Sequence, residues 1–209
     1  MSIAINTNKI NNILFFNPTI IKNNSYKNSK YNFLLENPGD FTIYPLEENN
    51  EKKRLTAFKK FRDELYKEIR ISKKFCDGLQ ASYVKDSLKE CDAILRIESS
   101  QTRSKKINGF ATIKLLRNSK SLYIDVICTN TDIKGTGSYM IKLLTKLCSD
   151  ISLEHIKLSS ATQALPFYIK TDFECDPLCK MVKDINGGSG GSKTRRNKIK
   201  SHSKTNRNY

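Results

Sequence analysis

The chain has 209 residues, 38% hydrophobic and 28% charged, with ten Phe, nine Tyr, no Trp and a net charge of +16. This is length for one ordinary domain plus appendages, and the aromatic content argues against a wholly unfolded chain. The apolar runs, such as Ile13-Leu14-Phe15-Phe16, are too short to span a bilayer, and no charged segment leads into an apolar stretch and cleavage site, so a non-secreted, intracellular protein without membrane attachment is expected.

The first forty residues are rich in Asn, Lys and Ile, with strands expected at 13–21 and near 31–35, punctuated by Asn17-Pro18 and Asn37-Pro38-Gly39. Asp40-Phe-Thr-Ile-Tyr-Pro-Leu46 alternates and is β-rich, predicting a strand ended by Pro45. Residues 51–70 place Leu55, Phe58, Phe61/Arg62, Leu65 and Ile69 on one stripe, which predicts a helix with a solvated charged face. A second helix is expected over 78–90. Strand-like runs follow at 93–97, 107–116 and 122–128, and the polar Arg117-Asn-Ser-Lys-Ser121 turns the last two into a hairpin. A helix over 137–149 carries Met140, Leu143/Leu144 and Leu147/Cys148 on one face. A strand at 155–158, a short helix at 163–171 and a strand or hairpin over 173–184, interrupted by Pro177, complete the reading.

Beyond Asn186 the chain becomes Gly-Gly-Ser-Gly-Gly-Ser and then Lys-Thr-Arg-Arg-Asn-Lys. That composition cannot bury apolar surface, so a flexible linker and disordered tail are expected over 187–209. The tail holds seven Lys/Arg and no acid, leaving 30 basic against 21 acidic side chains in the remainder. Residues 193–207 would bind polyanions, nucleic acid included, weakly and non-specifically through counterion release.

Six cysteines lie at 76, 91, 128, 148, 175 and 179. Only Cys175 and Cys179 are close-spaced, and neither His155 nor His202 completes a ligand pattern with them, so no metal site is predicted. Reduced, partly buried thiols are the expectation.

The stretch 122–141 carries the chemistry. A strand runs into Lys134-Gly135-Thr136-Gly137-Ser138, and an amphipathic helix follows. Glycines at alternate positions let backbone N–H groups approach an anion, and the helix amino terminus adds open donors and a positive dipole end. A plain strand-to-helix turn has the same signature, and the third glycine of a dinucleotide fingerprint is missing. Asp125, on the preceding strand, is a lone carboxylate that could serve as general base, opposite in phase to Ile124 and Val126. Glu98 is a similar candidate. Cys128 as a nucleophile is disfavoured, since no histidine lies near it in sequence.

The order of elements around this loop resembles that of the GNAT superfamily of N-acetyltransferases. Ile127-Cys-Thr-Asn-Thr-Asp-Ile-Lys-Gly-Thr-Gly137 resembles its strand end followed by Arg/Gln-x-x-Gly-x-Gly/Ala. Ala164-x-x-Phe167-Tyr168-x-x-x-Asp172-Phe173-Glu174 resembles its Ala-x-x-x-Tyr-x-x-x-Gly-Phe-Glu signature, and Gly109-Phe110 its hairpin strand. The resemblance covers residues 41–184. Departures are Asp132 at the Arg/Gln position, Asp172 at a glycine position, and no asparagine within Ser159-Ser160-Ala161-Thr162.

The resemblance implies an α/β fold with a central mixed, mostly antiparallel sheet flanked by helices. It divides the chain into an N-terminal extension at 1–40, a GNAT-like domain at 41–186 and the tail at 187–209. It implies acetyl-CoA as co-substrate, with the pyrophosphate on the amides of Lys134, Gly135, Thr136, Gly137 and Ser138. The pantetheine arm would pair with Val126, Ile127 and Cys128, where the strands beside the helix splay apart. Tyr168 matches the tyrosine that protonates the departing thiolate, and an amine of a protein or small molecule is the acceptor. Two other readings stay open: a GNAT-like fold that binds or serves as a virion module without catalysis, and a basic nucleic-acid-associated protein. The tail also resembles those of proteins from mimivirus-like large DNA viruses.

Overall fold

The computed structural model describes residues 10–17, 42–44, 51–71, 75, 79–99, 106–176 and 180–185. In chain order these form β1 (Ile10–Phe16), β2 (Thr42–Tyr44), α1 (Glu51–Ile71), α2 (Ala81–Glu90), β3 (Ala93–Ser99), β4 (Lys106–Leu116) and β5 (Ser121–Thr129). Then come α3 (Thr136–Asp150), β6 (His155–Ser159), α4 (Leu165–Lys170), β7 (Glu174–Cys175) and β8 (Lys180–Asp184). One eight-stranded sheet orders them β2-β1-β3-β4-β5-β6-β8-β7. Its β1–β2 and β5–β6 pairs are parallel and the other five antiparallel. The α/β fold with a mixed, mostly antiparallel sheet is thus as expected.

Helices cover both faces, because strand alternation sends apolar side chains each way. On one face α3 packs Met140, Leu144 and Leu147 over Leu95, Ile113 and Leu122. On the other, the α1 stripe of Phe58, Phe61, Leu65 and Ile69 joins Val84 and Leu88 of α2 over Ile94, Phe110 and Val126. Full burial of such side chains stabilises by about 1.5–3 kcal/mol each. Phe61 also stacks on Phe15 with ring centroids 3.6 Å apart.

The first strand runs 10–16, not 13–21: it begins earlier, and Asn17 ends it ahead of Pro18. It lies inside the sheet, pairing with β3 from Ile10↔Ser99 to Phe16↔Ala93. A boundary at residue 40 therefore leaves one sheet strand on its N-terminal side. Leu14 and Phe16 enter the α3 core and Phe15 the opposite one. The expected strand near 31–35, Pro177 and the tail at 187–209 lie outside the described residues. Asp172, where the resembled pattern has glycine, adopts φ +66°, a left-handed conformation that Asp tolerates better than most side chains. Its carboxylate lies 3.3 Å from Lys183 Nζ.

Candidate active site

The site grows from a change of pairing along β5. Its first half is hydrogen-bonded on both edges: to β4, and to β6 from Ser121↔His155 to Ile124↔Leu158. Beyond Asp125, among the described residues, only the β4 edge is paired, because β6 has diverged. At the same point β4 residues Thr112 and Ile113 oppose Val126 and Ile124, so Asp125 is the extra residue of a β-bulge. Two buried hydroxyls hold it: Val126 N–H donates to Thr112 Oγ1 at 3.0 Å, and Thr112 Oγ1 lies 2.6 Å from Ser87 Oγ. The bulge corrects the expected phase. Ile124 faces the α3 core while Val126 faces the α1/α2 core, because the extra residue reverses the alternation.

The loop after β5 ends at Gly135, whose φ of +88° makes it the left-handed N-cap of α3. No side chain caps this helix, and the first backbone bond of its opening turn is Tyr139 N–H to Gly135 O at 3.0 Å. The preceding amides of α3 therefore keep their donors for a ligand. A Cβ at Gly135 would meet nothing within 4 Å, so its glycine answers the backbone angle. At Gly137 a Cβ would stand 3.1 Å from Phe167 Cζ. Gly109 has a different reason: a Cβ there would reach Cys128 O, Met140 Sδ and Thr136 Cγ2, each at 3.0 Å. It lets the amino end of α3 sit directly on the sheet.

The cleft has two lobes. One, of about 440 Å³, is lined by Ile127, Asn130, Lys134, Gly135, Gly137, Ser138 and Phe167. The other, about 560 Å³, opens along the unpaired half of β5, against Asp125, Val126, Ile127 and Cys128, with Leu79 and Tyr83 at its mouth and Leu158, Ser159, Ser160, Ala161 and Gln163 also lining it. Ile127, Thr129, Thr131, Ala164 and Tyr168 line both. Thr136 lines neither: it is buried, its hydroxyl 3.4 Å from Ile133 O, so only its backbone faces the loop. Asp132 and Lys134 are exposed, and the Asp132 amide is taken by Asn130 Oδ1 at 3.0 Å.

Tyr168 stands where the lobes meet. Its ring packs edge-on against Phe167 and Phe173 at 5.0 and 5.5 Å. Burial pushes its phenol up to about 12. The hydroxyl has no hydrogen-bond partner among the described residues.

Asp125 is not a lone carboxylate. Tyr83 donates its phenol to Oδ1 at 3.1 Å, and Lys114 Nζ lies 4.0 Å from Oδ2. Desolvation first, and the Asp125 bond second, raise the Tyr83 phenol to about 12. Lys114 in turn contacts Glu90 at 3.0 Å, the main reason its pKa is raised. Glu98 lines neither lobe: it is buried on the α1 side of β3, its carboxylate 2.7 Å from Arg96 Nε. Cys128 is disulfide-bonded, with its partner outside the described residues, which corrects the expectation of reduced thiols at this position. A disulfide sulfur has no thiolate to offer, so an acyl-carrying Cys128 is removed as well. Cys91, Cys148 and Cys175 are free.

Sequence reasoning missed Tyr83, Ser87 and Thr112. Tyr83 and Ser87 sit on a helix that was anticipated, but nothing local joins them to residues on β4 and β5. Pairing across the sheet brings them together.

No family model matches this chain, and no curated protein matches it in sequence. Some solved structures are similar to it at low identity, with TM-scores below 0.5. Ard1 from Thermoplasma volcanium is 14% identical over 57% of this chain and 92% of that one, with TM-score 0.46. Nourseothricin acetyltransferase is 13% identical over 44% and 65%, TM-score 0.38. N-acetylglutamate synthase from Neisseria gonorrhoeae, solved with coenzyme A and N-acetyl-glutamate, is 12% identical over 59% and 32%, TM-score 0.42.

Proposed function

We propose that this chain is an acetyl-CoA-dependent N-acetyltransferase acting by direct transfer to a primary amine. The observation that carries the reading is the half-open β5: among the described residues, an unpaired strand edge runs from an uncapped, glycine-bearing helix start to a buried tyrosine whose hydroxyl has no hydrogen-bond partner. The cofactor fits on two counts, open amides at residues 136–138 and free space above Gly135. Those amides would hold its pyrophosphate, and the edge of Val126, Ile127 and Cys128 would align its pantetheine arm. When bound, acetyl-CoA supplies an activated acyl group. Amides beside it stabilise the negative charge that develops on the carbonyl, a large contribution in acyl transfer.

Tyr168 is protonated at any neutral pH. Passing its proton wholly to a thiolate of ordinary pKa, near ~8.5, would run about three units uphill, so it stabilises the leaving sulfur chiefly as a hydrogen-bond donor. Asp125 takes the proton that the amine nitrogen loses, directly or through water. The new bond joins nitrogen to the acyl carbon as the bond to sulfur breaks.

Thermal unfolding of the full chain with acetyl-CoA tests this. At roughly 100 times its Kd the ligand adds about 2.7 kcal/mol to the folded state, and adenosine is the control. Gly137→Val, which pushes against Phe167, abolishes the shift while the protein still folds cooperatively. No shift at millimolar acetyl-CoA favours the second reading, a non-catalytic module using the tail at 187–209 for polyanions. Asp132 in the loop is the observation on that side. Deleting 187–209 removes salt-sensitive nucleic-acid binding under either reading.

A further inference from the structure

We propose that the lobe beneath Tyr83 is a cation site for the acceptor: an ammonium on an apolar or aromatic stem, with no carboxylate beside it, held between Asp125 and the Tyr83 ring. This deepens the acetyl-transfer reading and rests on it for the chemistry, although the cation site can be tested by itself.

Asp125 is prepared for a positive ligand. Its position is set by the bulge, its side chain is only 14% exposed, and it lines the lobe. One oxygen is steadied by the Tyr83 phenol at 3.1 Å. The other has Lys114 Nζ at 4.0 Å, beyond hydrogen-bond reach, and that ammonium is drawn to Glu90 at 3.0 Å. Oδ2 is thus placed to accept a hydrogen bond from a ligand. Tyr83, with its raised pKa, remains a neutral donor at all ordinary pH values.

The surroundings suit the stem. Tyr83 and Leu79 are 47% and 43% exposed, and both stand at this mouth. An aromatic face next to a carboxylate attracts an ammonium by its quadrupole as well as by charge. Ile124, Val126 and Leu158 give the lobe an apolar wall. Tyr123, whose hydroxyl donates to Ser159 Oγ at 3.2 Å, ties β5 to the end of β6 beside it. A free amino acid would bring its own carboxylate next to Asp125, and two like charges at that separation repel. Lysine side chains, peptide amino termini and aryl-alkyl amines carry no such group next to the nitrogen.

Equilibrium dialysis of radiolabelled 2-phenylethylamine, phenylalaninamide and phenylalanine against the full chain decides it, with acetylated product followed by mass in parallel with acetyl-CoA present. Mass detection avoids thiol reagents, which would react with exposed Cys175. The amine and the amide should bind about tenfold or more tighter than phenylalanine, the size of one well-placed charge interaction. Asp125→Asn should erase that preference. Tyr83→Leu should weaken the amine about three- to fivefold, and Tyr83→Phe, which keeps the ring, by less. Phenylalanine binding as well as the amine overturns the proposal, as does absence of binding by all three or an unchanged preference in Asp125→Asn. Amine binding without acetylated product leaves the cation site standing and sinks acetyl transfer. Equal acetylation of phenylalanine and the amine sinks the cation site and leaves transfer intact.

Discussion

The two halves of β5 share one strand and one antiparallel partner, yet they have different occupations. Residues 121–124 are bonded on both edges, and Leu122 and Ile124 are buried under α3. Residues 126–129 are bonded on one edge and line the cleft on the other. The first half is framework and the second is surface to be read by a ligand. One extra residue, Asp125, separates them. A sheet can thus open a binding edge in its middle without losing its continuity, provided the bulge is held.

Breaking the framework half should have the largest effect. Leu122→Ala, at a fully buried position, should cost about 2–5 kcal/mol in denaturant unfolding, with acetyl-CoA affinity of the folded protein unchanged. Ile127→Ala, in the open half, should cost about 1 kcal/mol or less and weaken acetyl-CoA binding instead. Equal effects on both measurements would erase the distinction. Next comes the clasp itself. Thr112→Val leaves the Val126 amide and the Ser87 hydroxyl buried without their partner, at about 1–3 kcal/mol. It should lower turnover more than it weakens cofactor binding, and Thr112→Ser should restore both.

Tyr168→Phe sharpens the comparison by pH. Folding raises this phenol from 10.0 to about 12, so between those values the folded state keeps a proton that the unfolded chain has lost. The contribution is fully present below pH ~10 and fades as pH rises through ~12, amounting to roughly 2–3 kcal/mol for two units. Buried Cys91 and Cys148 are raised in the same direction, so the measurement is the difference between wild type and Tyr168→Phe in alkaline unfolding. The variant should lose less stability there, be equally stable at neutral pH, and turn over about tenfold more slowly. The smallest effect belongs to Asp172→Gly. Relief of the left-handed backbone and loss of the Lys183 contact should nearly cancel, leaving a change within about 1 kcal/mol.

What was legible in the sequence was local. Leu55, Phe58, Leu65 and Ile69 repeat at helical spacing, so α1 could be read directly. Gly135 and Gly137 sit at the turn into α3, and the Arg117–Ser121 turn joins β4 to β5. The bulge could not be read, because it is a mismatch between two strands and is written in neither. The pairing of Asp125 with Tyr83 was hidden for the same reason, forty-two positions apart in the chain. The place of β1 was equally obscure. Its run of Leu14, Phe15 and Phe16 announces a strand, but a strand's own residues do not name its neighbour.

The place of β1 between β2 and β3 has a consequence for how the protein is made. Translation delivers β1 early, whereas its antiparallel partner β3 is complete only when Ser99 has emerged. Until then Leu14, Phe15 and Phe16, which finish buried in two different cores, lack the antiparallel strand that pairs along the whole of β1. Non-local pairings of this kind close slowly, and an apolar strand waiting for its partner is open to pairing with other chains. The nascent chain therefore carries an apolar strand without its main partner until β3 emerges, and β1 and β3 can then pair before β5, β6 and β8 have been made.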